Sequence, residues 1–357
     1  MTLPHGQVET PMFMPVGTKG TVKALTTDQL KAAGAQVVLG NTYHLEVRPG
    51  SSFVERHGYL HGLSGWKGGM LTDSGGFQMV SLLDLANITE EGVQFKNPSD
   101  GSLMMLRPED SIAIQNRLGA DIIMQLDDVV SSVTPDAERF AEATDRTTRW
   151  LDRCIKAHSR PNEQNLFAIV QGGLDPKLRE KSLADLIARN TPGYAVGGLA
   201  GGEDKSSFWR AVAQCTARLP ANKPRYVMGI GHPLDIVICS ALGADMYDSV
   251  YVTRTARFGT ALRWDGKIQM RQSRYATDMR PIDEFCPCEA CQNFTRSYFH
   301  YALANETTSR VLKSAQSLIS LHNVTFSQRL TEAIRQAIKE GKREREGVVV
   351  VVARSGA

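Results

Sequence analysis

Eight short apolar runs, each closed by a turn residue and most followed by an amphipathic segment, constrain this chain more than any other feature. They lie at Met12–Val16, Gln36–Leu39, Met70–Thr72, Ile122–Leu126, Leu166–Val170, Tyr194–Val196, Tyr226–Met228 and Met246–Tyr251. Consecutive rather than alternate positions are apolar, the pattern of strands covered on both faces. Between them the spacing predicts helices at Thr26–Ala33, Pro108–Leu118, Asp136–Ala157, Lys177–Ala188, Lys205–Leu219 and Leu234–Leu242. Pro108, Glu109 and Asp110 suit a first helical turn, where a missing N–H is harmless and acids meet the positive helix end. Strands alternating with helices make a parallel sheet, and eight such units favour a (β/α)8 TIM barrel over an open doubly wound sheet. The 357 residues suffice for that barrel and a further subdomain.

Chemistry in such a barrel gathers where the strands end. Strand three runs into Asp73-Ser74-Gly75-Gly76-Phe77-Gln78, strand four into Asp127-Asp128 and strand five into Gln171-Gly172-Gly173. Strand six runs into Gly197-Gly198-Leu199-Ala200-Gly201-Gly202, strand seven into Gly229-Ile230-Gly231, and strand eight holds Asp248 near its end. Aspartate after a strand is a common helix cap and glycine a common turn residue, so each signal alone is weak. Their convergence on one rim describes a pocket. Two acids flanking a glycosidic bond can run a retaining substitution, one attacking the anomeric carbon and one handling the proton. That logic extends to the N-glycosidic bond of a nucleoside. Gln171 and the backbone of a glycine-rich turn can read the edge of a planar base, and Asp127 would accept from the N1–H and 2-amino group of a guanine-like ring. No histidine cluster accompanies these acids, which argues against a catalytic zinc at the rim.

The six cysteines divide in two. Cys154, Cys215 and Cys239 are scattered in apolar helical contexts and read as core. Cys286, Cys288 and Cys291 form a Cys-x-Cys-x-x-Cys segment. With a downstream histidine this is a strong signal for Zn2+, since three thiolates and an imidazole close a tetrahedron. A closed shell leaves no position for substrate, so the metal is expected to be structural, one per chain. His322 and His300 both stand as fourth ligand. Clustered cysteines of this kind suit a reducing compartment rather than a disulfide framework. No apolar run is long enough to span a bilayer and no secretory signal is evident, so a cytoplasmic protein is expected.

Net charge is only +3 and says little, but Thr253–Arg280 carries Arg254, Arg257, Arg263, Lys267, Arg271, Arg274 and Arg280 among Phe258, Trp264 and Tyr275. Basic residues interleaved with aromatics suit a nucleic-acid surface, although a solvated arginine-rich hairpin gives the same pattern.

Taken together, Thr72–Gln78, Val170–Gly173, Ala195–Leu199, Met228–Gly231, Asp245–Asp248 with Thr253-Arg254, Asn41–Leu45 and the cysteine segment resemble the tRNA-guanine transglycosylase family. The likeness follows the family's order over nearly the whole chain. It implies exchange of guanine at the anticodon wobble position (34) of tRNAs with a GUN anticodon for queuine, without cutting the RNA backbone. Asp248 looks like the nucleophile that forms a covalent intermediate with ribose, and Asp73 like the general acid/base. Asp127, Gln171 and Gly198, with Gly197 and Leu199, look like the base-recognition set. Ser74, Phe77 and Met228 would wall the pocket. Gly229, Ile230, Gly231, His232, Pro233, Leu234 and Asp235, and Thr253, Arg254, Thr255, Ala256 and Arg257, correspond to stretches that hold the anticodon loop. The resemblance favours His322 over His300, because Leu321-His322-Asn323 fits the family better.

The implied organisation is a barrel over residues 1–280, a zinc-binding subdomain with closing helices over 281–345, and a tail over 346–357. Two departures stand out. Val252 replaces a proline usual in the family, and the Cys291–His322 spacing is several residues longer, with the excess expected in 302–314. Asp127–Ser132 and Gly198–Glu203 look eukaryotic, which implies a catalytic subunit paired with a non-catalytic homologue; a homodimer is the bacterial alternative. Bacterial members resemble this chain with valine in place of Gly201, so glycine there is expected to open room for queuine's cyclopentenediol.

Overall fold

Each of the eight apolar runs forms a strand of one parallel sheet. The computed structural model describes residues 1–76, 87–96, 101–304 and 310–341. The strands are β1 (Met12–Pro15), β2 (Val37–Gly40), β3 (Gly69–Thr72), β4 (Ile122–Met124), β5 (Asn165–Val170), β6 (Gly193–Val196), β7 (Arg225–Val227) and β8 (Met246–Ser249). Their order is β1-β8-β7-β6-β5-β4-β3-β2. The ring closes where Val16 bridges Leu39 and the Gly17 N–H donates to the Leu39 carbonyl at 2.7 Å. The expected (β/α)8 barrel is therefore observed. The run read as Met246–Tyr251 ends as a strand at Ser249, and Tyr251 begins the helix Tyr251–Arg257.

Side-chain alternation divides the strands cleanly. Met12, Met14, Val37, Leu39, Leu71, Ile122, Met124, Phe167, Ile169, Ala195, Tyr226 and Met246 fill one cluster, the barrel interior. Phe13, Val38, Met70, Ile123, Ala168, Tyr194, Val227 and Tyr247 join the second cluster, under the helices. Both faces are buried, which explains the unbroken apolar runs.

The expected helices form at Thr27–Ala32, Pro108–Leu118, Ala137–Ala157, Pro176–Ala188, Lys205–Arg218 and Pro233–Ala241. Thr26 closes a capping box with Gln29, while Asp136, Asp175 and Asp204 each cap their helix through the side chain. The sequence pattern did not reveal three short helices (Thr42–Val47, Ser51–Arg56, Tyr59–Ser64) or the antiparallel sheet Asn87–Ile88, Val93–Lys96 and Leu103–Leu106 after β3. Beyond β8 come the hairpin Thr260–Arg263/Gly266–Gln269, the helices Glu289–Asn293 and Arg296–Ala304, and the long helix Arg310–Lys339. That last helix returns to the barrel: Gln328 donates to the Phe13 carbonyl at 2.9 Å, and Arg335 to that of Pro11 at 2.7 Å. Among the described residues, no helix is long and apolar enough to cross a membrane.

Candidate active site

The interior alternation carries past the strand ends and selects the rim. Asp73 lies two residues beyond Leu71, Gln171 beyond Ile169, Gly197 beyond Ala195, Met228 beyond Tyr226, and Asp248 beyond Met246, each predecessor being an interior residue. Period two therefore aims all five at the barrel axis. Met228 packs on the interior cluster.

The two candidate catalytic acids are anchored differently. Asp248 accepts from the Tyr226 hydroxyl at 2.5 Å and from the Gly229 N–H at 2.8 Å, both on Oδ1. No described residue donates to Oδ2. Burial pushes the Asp248 carboxyl above the usual range, against the pull of these two donors. Asp73 accepts from the Asn41 side-chain amide on Oδ2 and from the Thr42 N–H on Oδ1 at 2.9 Å, and the Thr42 hydroxyl donates to the Asp73 carbonyl. The helix Thr42–Val47 thus begins against Asp73. The Tyr226 phenol is held far above its ordinary value by burial, and also by the carboxylates of Asp248 and Asp73.

A polar cluster lies beside them. Gln171 donates through Nε2 to Oδ2 of Asp127 at 2.7 Å, and Ser74 donates to Oδ1 at 3.3 Å. Burial raises the Asp127 pKa to about 6, with the neighbouring Asp128 charge adding and the two donors opposing. Asp128, fully buried, is saturated by Arg139 and Arg146 and accordingly supports the turn from behind. Gly198 has φ +67°, and a Cβ there would come within 2.2 Å of Gln171 Oε1. Only glycine lets this backbone approach the carboxamide. Leu199 follows, half-buried. Phe77 lies outside the described residues.

The stretches expected to hold RNA are mixed in exposure. Gly229, His232, Leu234 and Arg254 are exposed, and Pro233, Thr255 and Arg257 half-buried. Ile230, Gly231, Asp235, Thr253 and Ala256 are buried. Asp235 is turned toward Lys205 and the indole N–H of Trp209. Val252 occupies the first turn of Tyr251–Arg257 and is fully buried, its carbonyl accepting from Asn323 at 2.9 Å. A first-turn N–H has no partner within its own helix, so proline and valine are both accommodated there, and Arg254 lies on the exposed face. A side chain at Gly201 would meet Ser132 Oγ at 2.6 Å and Ser131 Oγ at 3.6 Å. The space beside Gly201 thus borders the 127–132 turn.

Cys286, Cys288, Cys291 and His322 are all buried, with their ligand atoms within 4.8 Å of one another. Cys291 Sγ lies 3.2 Å and Cys288 Sγ 3.7 Å from His322 Nδ1. Nε2 of His322 is 2.7 Å from the Leu262 carbonyl, so this bond places the proton on Nε2 and turns Nδ1 to the thiols. Three thiols and one oriented imidazole fit a tetrahedral metal ion. His300 instead pairs with the Met270 carbonyl at 3.0 Å, outside the cluster. The 302–314 span, where the longer spacing is expected, runs from the end of Arg296–Ala304 into Arg310–Lys339, and 305–309 lie outside the described residues.

A family model for queuine tRNA-ribosyltransferase matches residues 1–346. The chain belongs to the queuine tRNA-ribosyltransferase family. The match spans barrel and metal cluster alike. The chain is 50% identical to the queuine tRNA-ribosyltransferase catalytic subunit of Schizosaccharomyces pombe, covering 94% of this chain and 83% of that protein. It is 50% identical to the catalytic subunit of Caenorhabditis elegans, over 96% and 84%. It is also 50% identical to the queuine tRNA-ribosyltransferase of Thermus thermophilus, over 95% and 86%. These two eukaryotic relatives and the Thermus enzyme are thus equally identical to it.

Four residues of this family member were not singled out by the sequence pattern. Tyr226 had a signal, a polar-tipped side chain in an interior series otherwise of Met, Val, Leu, Ile, Phe and Ala. Asn41 and Thr42 stood in a recognised motif, but nothing local tied them to Asp73, 32 and 31 residues away. Arg179, fully buried in Pro176–Ala188, had no signal among the other basic residues of its helix.

Proposed function

We propose that this chain exchanges guanine at the wobble position (34) of tRNAs with a GUN anticodon for queuine, by double displacement. The observation that carries the reading is the pair Asp73 and Asp248 at the mouth of one barrel, Asp248 anchored by Tyr226 and Asp73 by Asn41 and Thr42, with Asp127, Gln171 and Gly198 beside them. Asp248 attacks ribose C1′ through the carboxylate oxygen that Tyr226 and Gly229 leave open. The guanine–ribose bond breaks, and Asp73 delivers the proton that guanine takes. The incoming base gives its proton to Asp73 and attacks C1′, displacing Asp248. Asp127 accepts from the base N1–H and 2-amino group, Gln171 and the Gly198 N–H read the remaining edge, and Gly197, Leu199, Ser74 and Met228 shape the slot. No redox cofactor or ATP is required, because one glycosidic bond replaces another.

The metal is proposed to be a structural Zn2+ on Cys286, Cys288, Cys291 and His322, tying the helix Glu289–Asn293 to the long helix and, through Leu262, to the hairpin. A catalytic barrel over 1–280 followed by a zinc subdomain is the matching division. The eukaryotic relatives are named as catalytic subunits, which supports pairing with a non-catalytic homologous subunit; the cytoplasm is the proposed compartment. A homodimer is the other arrangement.

The test is mass spectrometry of tRNA incubated with protein and queuine, with and without the homologous partner. Asp248→Asn should abolish exchange by several orders of magnitude while tRNA binding persists. Wild type should form a denaturation-resistant adduct with tRNA when the incoming base is withheld. Full exchange by Asp248→Asn would remove the covalent mechanism.

A further inference from the structure

Arg179 is fully buried, and among the described residues no carboxylate lies within ion-pair distance of it. Its guanidinium serves three backbone carbonyls instead: Nε donates to Gly173 at 2.8 Å, Nη1 to Val170 at 3.1 Å and Nη2 to Gly197 at 2.9 Å. Burying a cation without a counter-ion is costly, and desolvation pulls its pKa down. Such an arrangement calls for a role that three neutral acceptors justify. Those carbonyls belong to the turns that carry Gln171 and Gly198.

The Val170–Gln171 peptide is held at both ends by one helix. Its carbonyl takes Arg179, and its N–H donates to the Ser182 hydroxyl at 3.1 Å. This fixes the root of the side chain that reaches Asp127. The Gly197–Gly198 peptide is held at one end only. In a trans peptide the C=O and N–H point in opposite directions. Arg179 sits on a helix outside the barrel, so drawing the Gly197 oxygen outward turns the Gly198 N–H toward the barrel mouth. A Gly-Gly peptide has an unusually low barrier to rotation of its plane, because neither flanking residue carries a Cβ. A rotated peptide would present a carbonyl to the pocket, changing a hydrogen-bond donor into an acceptor. A charged donor on the oxygen also polarises the peptide and strengthens its N–H.

We infer that Arg179 is the positioning residue that makes the Gly197–Gly198 peptide a donor toward the pocket, and so sets the enzyme's preference for a base with an oxo group at the facing edge. Arg179 touches no substrate; it acts through the peptide. The inference rests on the base-reading role proposed above for Gly198.

The experiment compares guanine with 6-thioguanine in tRNA base exchange. The thio base keeps the N1–H and 2-amino group that Asp127 would read, and replaces only the oxygen with a weaker acceptor. Wild type should prefer guanine in kcat/KM by roughly threefold to tenfold, the range of one neutral hydrogen bond. Arg179→Lys and Arg179→Gln should lose most of that preference, with KM for guanine raised and KM for tRNA unchanged. A purely structural role would lower both bases in proportion, and an unchanged ratio in a folded variant would overturn the inference. So would a wild type with no preference between the bases. Wild type that transfers neither base to tRNA would instead sink the proposed reaction itself. If neither variant folds, a structure of the wild-type enzyme with guanine decides. The Gly198 nitrogen within about 3.2 Å of the base oxygen, with Gly197 still on Arg179, supports it; a Gly197 carbonyl facing the base overturns it.

Discussion

The Tyr226 hydroxyl donates to Oδ1 of Asp248 from one strand to the next, a 2.5 Å contact that runs from the barrel interior to its rim. This bond lowers the Asp248 pKa against the rise caused by burial. Removing it in Tyr226→Phe should move the acid limb of kcat/KM upward by on the order of one pH unit, since one unit corresponds to about 1.4 kcal/mol. The loss in rate should be about tenfold below the limb and smaller above it. A pH–rate profile superimposable on wild type would show that the phenol does not tune the acid.

Asp127 gives a second pH dependence. Its pKa is raised to about 6 by burial, so the free enzyme holds this carboxyl protonated in mild acid. A protonated carboxyl cannot accept from both N1–H and the 2-amino group, so KM for guanine should fall as pH rises through about 6. Asp127→Asn should abolish that limb and raise KM at neutral pH about 100-fold, the cost of leaving polar groups of the base unpaired. The stability of the free protein should run the opposite way. A carboxyl that holds its proton longer in the fold contributes least above its folded pKa, so Asp127's contribution should decline from about pH 4 to about pH 6. Thermal melts with and without guanine across this window check both signs.

Much of this site was legible because the barrel turns sequence order into position. Asp73, Gln171 and Gly197 are each the next inward residue after an apolar strand and Asp248 is the last inward residue of β8, so locating the strands located them. Asp128 was less legible: it neighbours Asp127, yet Arg139 and Arg146 reach it from a helix that spacing alone could not rotate into place. Arg179 was illegible for the same reason, because its meaning lies in three carbonyls on two other turns. The short helices of 42–64 were missed because their lengths give too few turns for a period of 3.6 to register.

Metal content should be about one Zn2+ per chain, as one closed Cys3His shell requires. Cys288→Ser should lower both metal content and Tm, because binding and folding are linked. A strong chelator should have the same effect on wild type and should loosen the hairpin 260–269, which His322 holds through Leu262. Elemental analysis that finds no zinc in folded, active protein would contradict this.

Arg254 is exposed on the helix that follows Asp248, and Arg274 is exposed on the segment beyond the hairpin. Arg254→Glu and Arg274→Glu should raise KM for tRNA more than they lower kcat, and each should flatten the salt dependence of tRNA affinity by about one unit of slope. Binding titrations at low and physiological salt measure this; affinity indifferent to salt in wild type would remove the phosphate role.

How the pocket treats a bulky base should depend on the contact between Gly201 and Ser132. Glu203 accepts from the Ala200 N–H at 2.6 Å, the Gly201 N–H at 2.9 Å and the Ser132 hydroxyl at 2.6 Å, so one carboxylate fastens two turns together. A Cβ at 201 would press on that same hydroxyl at 2.6 Å, and on the Ser132 nitrogen at 3.3 Å. The hydroxyl can swing away but the backbone nitrogen cannot. Gly201→Val should therefore break the Ser132–Glu203 bond and push the turn bearing Leu199 toward the base, at a cost of about 1–3 kcal/mol. Queuine, with its cyclopentenediol, should lose most, on the order of 100-fold in kcat/KM, and guanine roughly fivefold. Adding Ser132→Ala should restore guanine exchange by relieving the seam, and leave queuine poor. If the double variant recovers both bases equally, the seam alone accounts for the glycine; if Gly201→Val spares guanine entirely, the pocket yields to the side chain without disturbing Ser132.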